Sequence, residues 1–370
     1  MSAAAPLRVA LVAGPMYDHL YDPLAGVLAP GEVEVVVHAD HPTLNRHVGE
    51  LLAAGERIDV LATHSKYAPS QAAWLRPLDD LLDEAVVAGL APAAVGLCRV
   101  AGVLRCAPRL IDVRVLWSRA DRVPTPPDTW AALLASESVM GFTGRESGAF
   151  GMFFELVAGA GGRLFDDALR PTFVSDAAVD AVVTMQQLAR RAPADLPGWH
   201  YDDVDRALLE GRVDMAAAWP GGWGAIRDSA LADVLVPSPY PAGPVRRVSY
   251  SGCHAWAVPT TCADVDRAVA LVERLLGAHA QAVDASGGSM CAHVGALDAV
   301  EPQGPVDAQR LAITRATIAE AMITYPSLAR FPEIEDAAWS AIQQALLGTL
   351  DAPGAVRLMQ SAAEHVLADG

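Results

Sequence analysis

The stretch EVEVVVHADHPTLNRHVGELLAAGERIDVLATH (residues 32–64) reads as strand, helix, strand. EVEVVVHA (32–39) and RIDVLATH (57–64) are short apolar runs rich in β-branched residues, and TLNRHVGELLAAG (43–55) between them carries helical spacing. Strands that alternate with a helix of this length predict parallel β/α units and a layered sheet. LRVALVAG (7–14), just upstream, supplies a further strand.

Downstream, APAAVGLCRVAGVLRCAPRLIDVRVLWSRADRV (91–123) holds two more strands, and then the texture changes. PTPPDTWAALLAS (124–136) is a Pro-rich turn into a helix, with Asp128 the expected N-cap. VMGFTG (139–144) reads as a strand and GAFGMFFELVAGAGG (148–162) as a helix closed by glycines. SDAAVDAVVTMQQLARR (175–191) and DDVDRALLEGR (202–212) are amphipathic helices, and VDMAAAW (213–219) is a strand. VSYSGCHAWAVP (248–259) returns the chain toward an environment like that of its first third. A helical tail follows at 264–286, 307–323, 332–348 and 353–369, with no internal repeat.

A chain of 370 residues exceeds one ordinary core, so two lobes are expected. A net charge of −17 with a single lysine, Lys66, repels nucleic acid and anionic membranes, which leaves small molecules and proteins as partners. No run approaches the ~20 apolar residues that span a bilayer, so no membrane insertion is expected. Five cysteines, with neither CxxC nor Cys/His metal spacing, read as reduced thiols, with no metal site and no cofactor. GGSMCAHVGAL (287–297) lacks the lysine and the spacing of a phosphate-cradling loop. The opening MSAAAPLRVALVAG shows no basic leader segment, cleavage site or lipid-anchor cysteine. As it stands the chain is expected in the cytoplasm, or outside it if an upstream export segment was removed.

The order and spacing of four segments resemble the family 1 extracellular solute-binding proteins of ABC importers, the maltose-binding-protein-like group. They are APSQAAWLRPLDDLL, APRLIDVRVLWSRADRVPTPPDTWAALL, GFTGRESGAFGMFFELVAGAGGRLFDDALRPTF and ALLEGRVDMAAAWPGGWGA. VPTPPDTW places Trp130 where the family has its P-x-T-W-x-x-L turn, and Gly211, Arg212 and Met215 match its G-[KR]-x-A-M strand, with Asp214 in place of the usual alanine. The resemblance runs from about residue 7 to the end. It implies an α/β, two-lobed periplasmic-binding-protein-like fold (class II), each lobe a mostly parallel sheet flanked by helices. The implied lobes are 1–113 plus 252–300 and 114–251 plus 301–370, with hinges near 110–116, 248–257 and about 300. A small-molecule ligand would lie between the lobes, and an ABC permease would be the partner of an exported chain.

Candidate ligand contacts follow from position and chemistry. His64, Lys66 and Tyr67 sit in the loop after a strand, where open α/β sheets place ligand-contacting groups; a solvated loop is the alternative. Asp112 and Arg114 share a face of the first crossing strand, as ligand contacts or as a buried pair, and Trp117 has the opposite parity. Glu146 and Ser147 stand at a helix N-terminus, as ligand contacts or as ordinary cap residues. Trp219 and Trp223 flank PGG, a turn too tight to bury two indoles. Strict alternation puts Tyr250, Gly252, His254 and Trp256 on one face of the second crossing, with Ser251 and Cys253 on the other.

The leading function is binding of a small polar organic solute, with carbohydrate preferred on the resemblance. The alternatives are a cytosolic lyase or isomerase on the same fold, with Glu146 or Asp112 as base and His254 as acid, or a metabolite sensor.

Overall fold

In the computed structural model the chain is described over residues 5–14, 17–219 and 222–368, the side chains of Pro42 and Asp112 excepted. It divides into two compact units, Met1–Asp112 with Gly252–Glu301 and Val113–Ser251 with Pro302–Gly370.

The first unit is built on a five-stranded sheet in the order Val33–Ala39, Leu7–Val12, Val60–His64, Gly252–Ala257, Ala107–Asp112. The first three strands are parallel, and Gly252–Ala257 runs antiparallel between its two neighbours. The helix between the strands at Val33–Ala39 and Val60–His64 spans His41–Ala53, and Asp40 caps it by accepting a hydrogen bond from Thr43 N at 2.9 Å. Leu7, Val9, Val60, Leu61 and Leu110 are fully buried beneath helices such as Val265–Leu276, whose apolar stripe of Ala268, Leu271, Val272 and Leu275 is buried.

The second unit holds a four-stranded sheet in the order Leu235–Pro239, Val115–Arg119, Met215–Ala218, Met140–Gly141. The helix Glu146–Gly159 is buried almost all round, which explains its nearly continuous apolar sequence. It packs against the helices Asp176–Ala189 and Phe331–Leu346, with Phe150, Phe153, Phe173 and Phe331 at the centre of the core.

The chain departs from the sequence reading in five places. The second unit's sheet is not mostly parallel: Val115–Arg119 runs antiparallel to both Leu235–Pro239 and Met215–Ala218, and only Met140–Gly141 pairs in parallel with its neighbour. RLIDVRVLW is two strands, ending at Asp112 and restarting at Val115. Tyr250 pairs with Ile323 in a short ladder of the second unit, whereas Gly252–Ala257 belongs to the first, so strict alternation does not carry Tyr250 onto the face of His254. The segment 264–286 is two helices, because Gly277 takes an extended conformation that ends one and starts the next. Thr129, not Asp128, caps the helix Trp130–Ala135: its hydroxyl accepts from Ala132 N at 3.1 Å, while Asp128 pairs with Arg247.

Candidate functional site

In the first unit, the carboxyl ends of the three parallel strands converge on one cluster. Tyr17 follows the strand Leu7–Val12, His41 follows Val33–Ala39, and His64 ends Val60–His64. His254 joins them from the antiparallel strand, as the register partner of His64. His41 Nε2 lies 2.8 Å from His254 Nδ1, the His64 and His254 ring centroids are 5.0 Å apart, and Tyr17 Oη is 3.3 Å from His254 Nε2. Lys66 N donates to His64 Nδ1 at 3.0 Å, and its ammonium stands 4.9 Å from the centre of the Tyr67 ring.

All three imidazoles are held neutral. Burial, then the positive charges of Lys66 and Arg109, lowers His41 to about 3. Burial and the neighbouring His41 and Lys66 take His64 well below its ordinary value, and burial with His41, His64 and Arg109 does the same for His254. A neutral imidazole offers one donor and one acceptor, which suits hydroxyl ligands. Among the described residues, no group of three or more His, Cys, Asp or Glu side chains is arranged to hold a metal ion.

Beneath the cluster lies a buried charge system. Arg109 makes a bidentate contact with Asp284 at 2.6 and 2.8 Å, and His19 reaches the same carboxylate at 2.9 Å. Burial alone would raise the Asp284 carboxyl, but the charge and hydrogen bonds of Arg109 outweigh it and lower it. The guanidinium lies 5.5 Å from the rings of both Tyr17 and Trp256, so it supports the cluster from below.

In the second unit, hydroxyls form a chain beside a partly exposed indole. Ser147 Oγ is 3.3 Å from Tyr201 Oη, which is 3.1 Å from Tyr250 Oη. Trp219 meets Tyr250 edge-on, with centroids 5.3 Å apart. Glu146 stands beside this chain at φ +56°, in the left-handed region, paired with Arg145 and with His200 Nε2 at 3.3 Å. Residues held there without being glycine mark sites that the surrounding structure over-determines.

His64, Lys66, Tyr67, Gly252 and His254 thus gather in one unit, and Arg114, Glu146, Ser147, Trp219 and Tyr250 in the other. Trp256 is fully buried beside Arg109, and Trp117 is fully buried, stacked on Trp223 at 6.1 Å. Neither Trp117 nor Trp256 has surface to offer a ligand, and Trp223 is 5% exposed, so of the WPGGW pair only Trp219 is partly open. Pro220 and Gly221 between them, and the Asp112 side chain, lie outside the described residues. Arg114 pairs with Glu155 on another element. Ser147 makes no side-chain cap of its helix and bonds to Tyr201 instead. Sequence reasoning missed Tyr17, His41, Arg109, Glu155, His200 and Tyr201. The rule that pointed to the loop after the strand ending at His64 applies equally to the loops holding Tyr17 and His41.

The chain also matches known proteins. A family model described as bacterial extracellular solute-binding protein matches residues 50–282. The chain belongs to that family. Maltose-bound MalE3 of T. maritima superposes with a TM-score of 0.87 at 19% identity, covering 98% of this chain and 100% of that one. The GacH receptor of Streptomyces glaucescens, solved unliganded and in complex with acarbose and an acarbose homolog, gives 0.85 at 18% identity, covering 98% of each chain. An ABC transporter solute-binding protein from Thermotoga lettingae bound with α-D-tagatose gives 0.83 at 20% identity, covering 98% of this chain and 100% of that one. These likenesses show the two-lobed periplasmic-binding-protein fold. No protein in the curated set matches the chain. No helix among the described residues is long and apolar enough to cross a membrane.

Proposed function

We propose that the solute is a carbohydrate or a related polyol, and that each unit carries groups of the kind such a solute needs. The observation that carries this reading is the hydroxyl chain Ser147–Tyr201–Tyr250 lying beside the partly exposed indole of Trp219. An indole face packs on the C–H face of a sugar ring while hydroxyls and amides orient its polar edge. The first unit complements this with three neutral imidazoles and two phenols, groups that can both donate to and accept from alcohols. His64, Lys66, Tyr67, His254, Tyr17 and His41 are the proposed contacts there, and Glu146, Ser147, Tyr201, Trp219 and Tyr250 in the second unit. Relatives of this fold solved with maltose, acarbose and α-D-tagatose support the same ligand class. Membership of an extracellular solute-binding family further supports a place of work outside the cytoplasmic membrane, with an ABC permease as the partner.

The test is a thermal-shift and calorimetric screen with maltose, acarbose, D-tagatose and a panel of organic acids, followed by mass analysis of the recovered solute. A sugar that raises the melting temperature and is recovered unaltered supports the reading, since a ligand that binds only the folded state stabilises it. Stabilisation by organic acids alone, or conversion of the added compound, overturns it.

A further inference from the structure

One face of the helix Glu146–Gly159 is shaped around Tyr250 and Arg114. Residues 148, 151 and 155 share that face at helical spacing. The carbonyl of Gly148 accepts from Arg114 Nη2 at 3.0 Å, Glu155 Oε1 accepts from Tyr250 N at 2.8 Å, and Glu155 Oε2 is 3.3 Å from Arg114 Nη1. A β-carbon on Gly151 would stand 2.2 Å from Tyr250 Cε1, so the glycine is the seat of that ring. The guanidinium of Arg114 lies 4.7 Å from the Tyr250 ring and 5.4 Å from Trp219. Arg114 is 2% exposed and Glu155 fully buried, so neither is available to a solute.

We propose that Arg114 and Glu155 are positioning residues of the solute-recognition surface, Glu155 fixing the backbone of Tyr250 and Arg114 fixing the rings of Tyr250 and Trp219. This rests on the reading that the Trp219 surface takes the solute. Energetics favour positioning over stabilisation. A buried ion pair is often replaced by apolar residues of similar volume with no loss of stability, because two desolvated charges barely recover in attraction what they lose in hydration. Burial pushes the Glu155 carboxyl up, against the pull of Arg114 and the Tyr250 N–H, to about 7. The other titratable groups facing it are Tyr240 and Tyr250, with Tyr201 and Tyr325 beyond them and Glu335 behind Tyr325. Burial raises Tyr240, Tyr250 and Tyr325 well above their ordinary values, so none of those three titrates near neutrality.

The experiment compares wild type, the double variant Arg114→Met/Glu155→Leu and the single variant Glu155→Gln, by melting temperature, ligand-free crystal structure and maltose titration. The expected double variant still folds, melts below wild type because the buried Tyr250 N–H loses its acceptor, shows Tyr250 and Trp219 displaced, and loses about tenfold or more in maltose affinity. Glu155→Gln, which keeps an acceptor for Tyr250 N, stays within about threefold of wild type. Rings that keep their places in the double variant, or an unchanged affinity, overturn the proposal. If maltose does not bind wild type, the carbohydrate reading fails for that sugar and the ring positions alone decide the positioning role. If the double variant does not fold, Glu155→Ala against Glu155→Gln is judged by the same displacement of Tyr250.

Discussion

A β-carbon on Gly252 would fall 1.9 Å from Cε1 of His64. The two residues sit on adjacent antiparallel strands, and the missing side chain at 252 is what lets the His64 ring lie against His254. Gly252→Ala must therefore push the imidazole aside or bend the strand. Overpacking of this kind costs about 1–3 kcal/mol. The expected variant melts below wild type and has lost solute affinity, and an unchanged melting temperature together with unchanged binding would remove Gly252 from the site.

Acid should weaken the first unit through its histidines. Free imidazoles titrate near 6.5, whereas folded His41 is held down to about 3 by burial and by Lys66 and Arg109. Between those values the unfolded chain binds the extra proton, so stability rises with pH across the window and is lost as pH falls through it. The slope is at most roughly 1.4 kcal/mol per pH unit for each histidine that titrates only when unfolded. Glu155 has the opposite sign. Its folded value near 7 exceeds the unfolded one, so its contribution is present at low pH and declines as pH rises toward neutrality. Urea unfolding of wild type and His41→Asn across this range measures the first effect, and a wild-type-minus-variant difference that does not change with pH contradicts it.

Layered α/β architecture was legible at 32–64 because β-branched runs and a helical spacing alternate there with little competition. The candidate groups that the sequence offered stand where chemistry and local order coincide, as in THSKYAPSQ (63–71) and GRESG (144–148). His41 escaped because it stands at a helix start, where Asp40 supplies the visible capping signal. Trp117 and Trp256 read as surface groups because parity along a strand tells which side a residue takes, and not how many layers cover that side. Their burial is set by Trp223 in one case and by Arg109 and Tyr21 in the other, all remote in sequence.

Trp219 and Trp223 should separate binding from stability. Trp223 is buried and stacked on Trp117, and truncating such a side chain costs about 3–5 kcal/mol. Trp219 is partly exposed, so Trp219→Ala should cost far less stability. Its expected effect is on solute affinity, read by calorimetry against a melting temperature close to wild type. If Trp219→Ala unfolds the protein as readily as Trp223→Ala does, its indole is part of the core and the recognition surface is misplaced.

Glu146 should show the cost of function most directly. Its φ of +56° places a side-chain-bearing residue in a region that costs roughly 1–2 kcal/mol, and glycine removes that penalty at the expense of roughly 0.5–1 kcal/mol of chain entropy. The contacts with Arg145 and His200 are partly exposed and offset little of this. Glu146→Gly is therefore expected to melt at or slightly above wild type while binding solute more weakly. Glu146→Gln keeps the strained backbone and a hydrogen-bonding group without the charge, so comparing the two variants separates strain from carboxylate chemistry. Should Glu146→Gly bind solute as tightly as wild type, the strained conformation serves the helix start alone and Glu146 leaves the proposed recognition set.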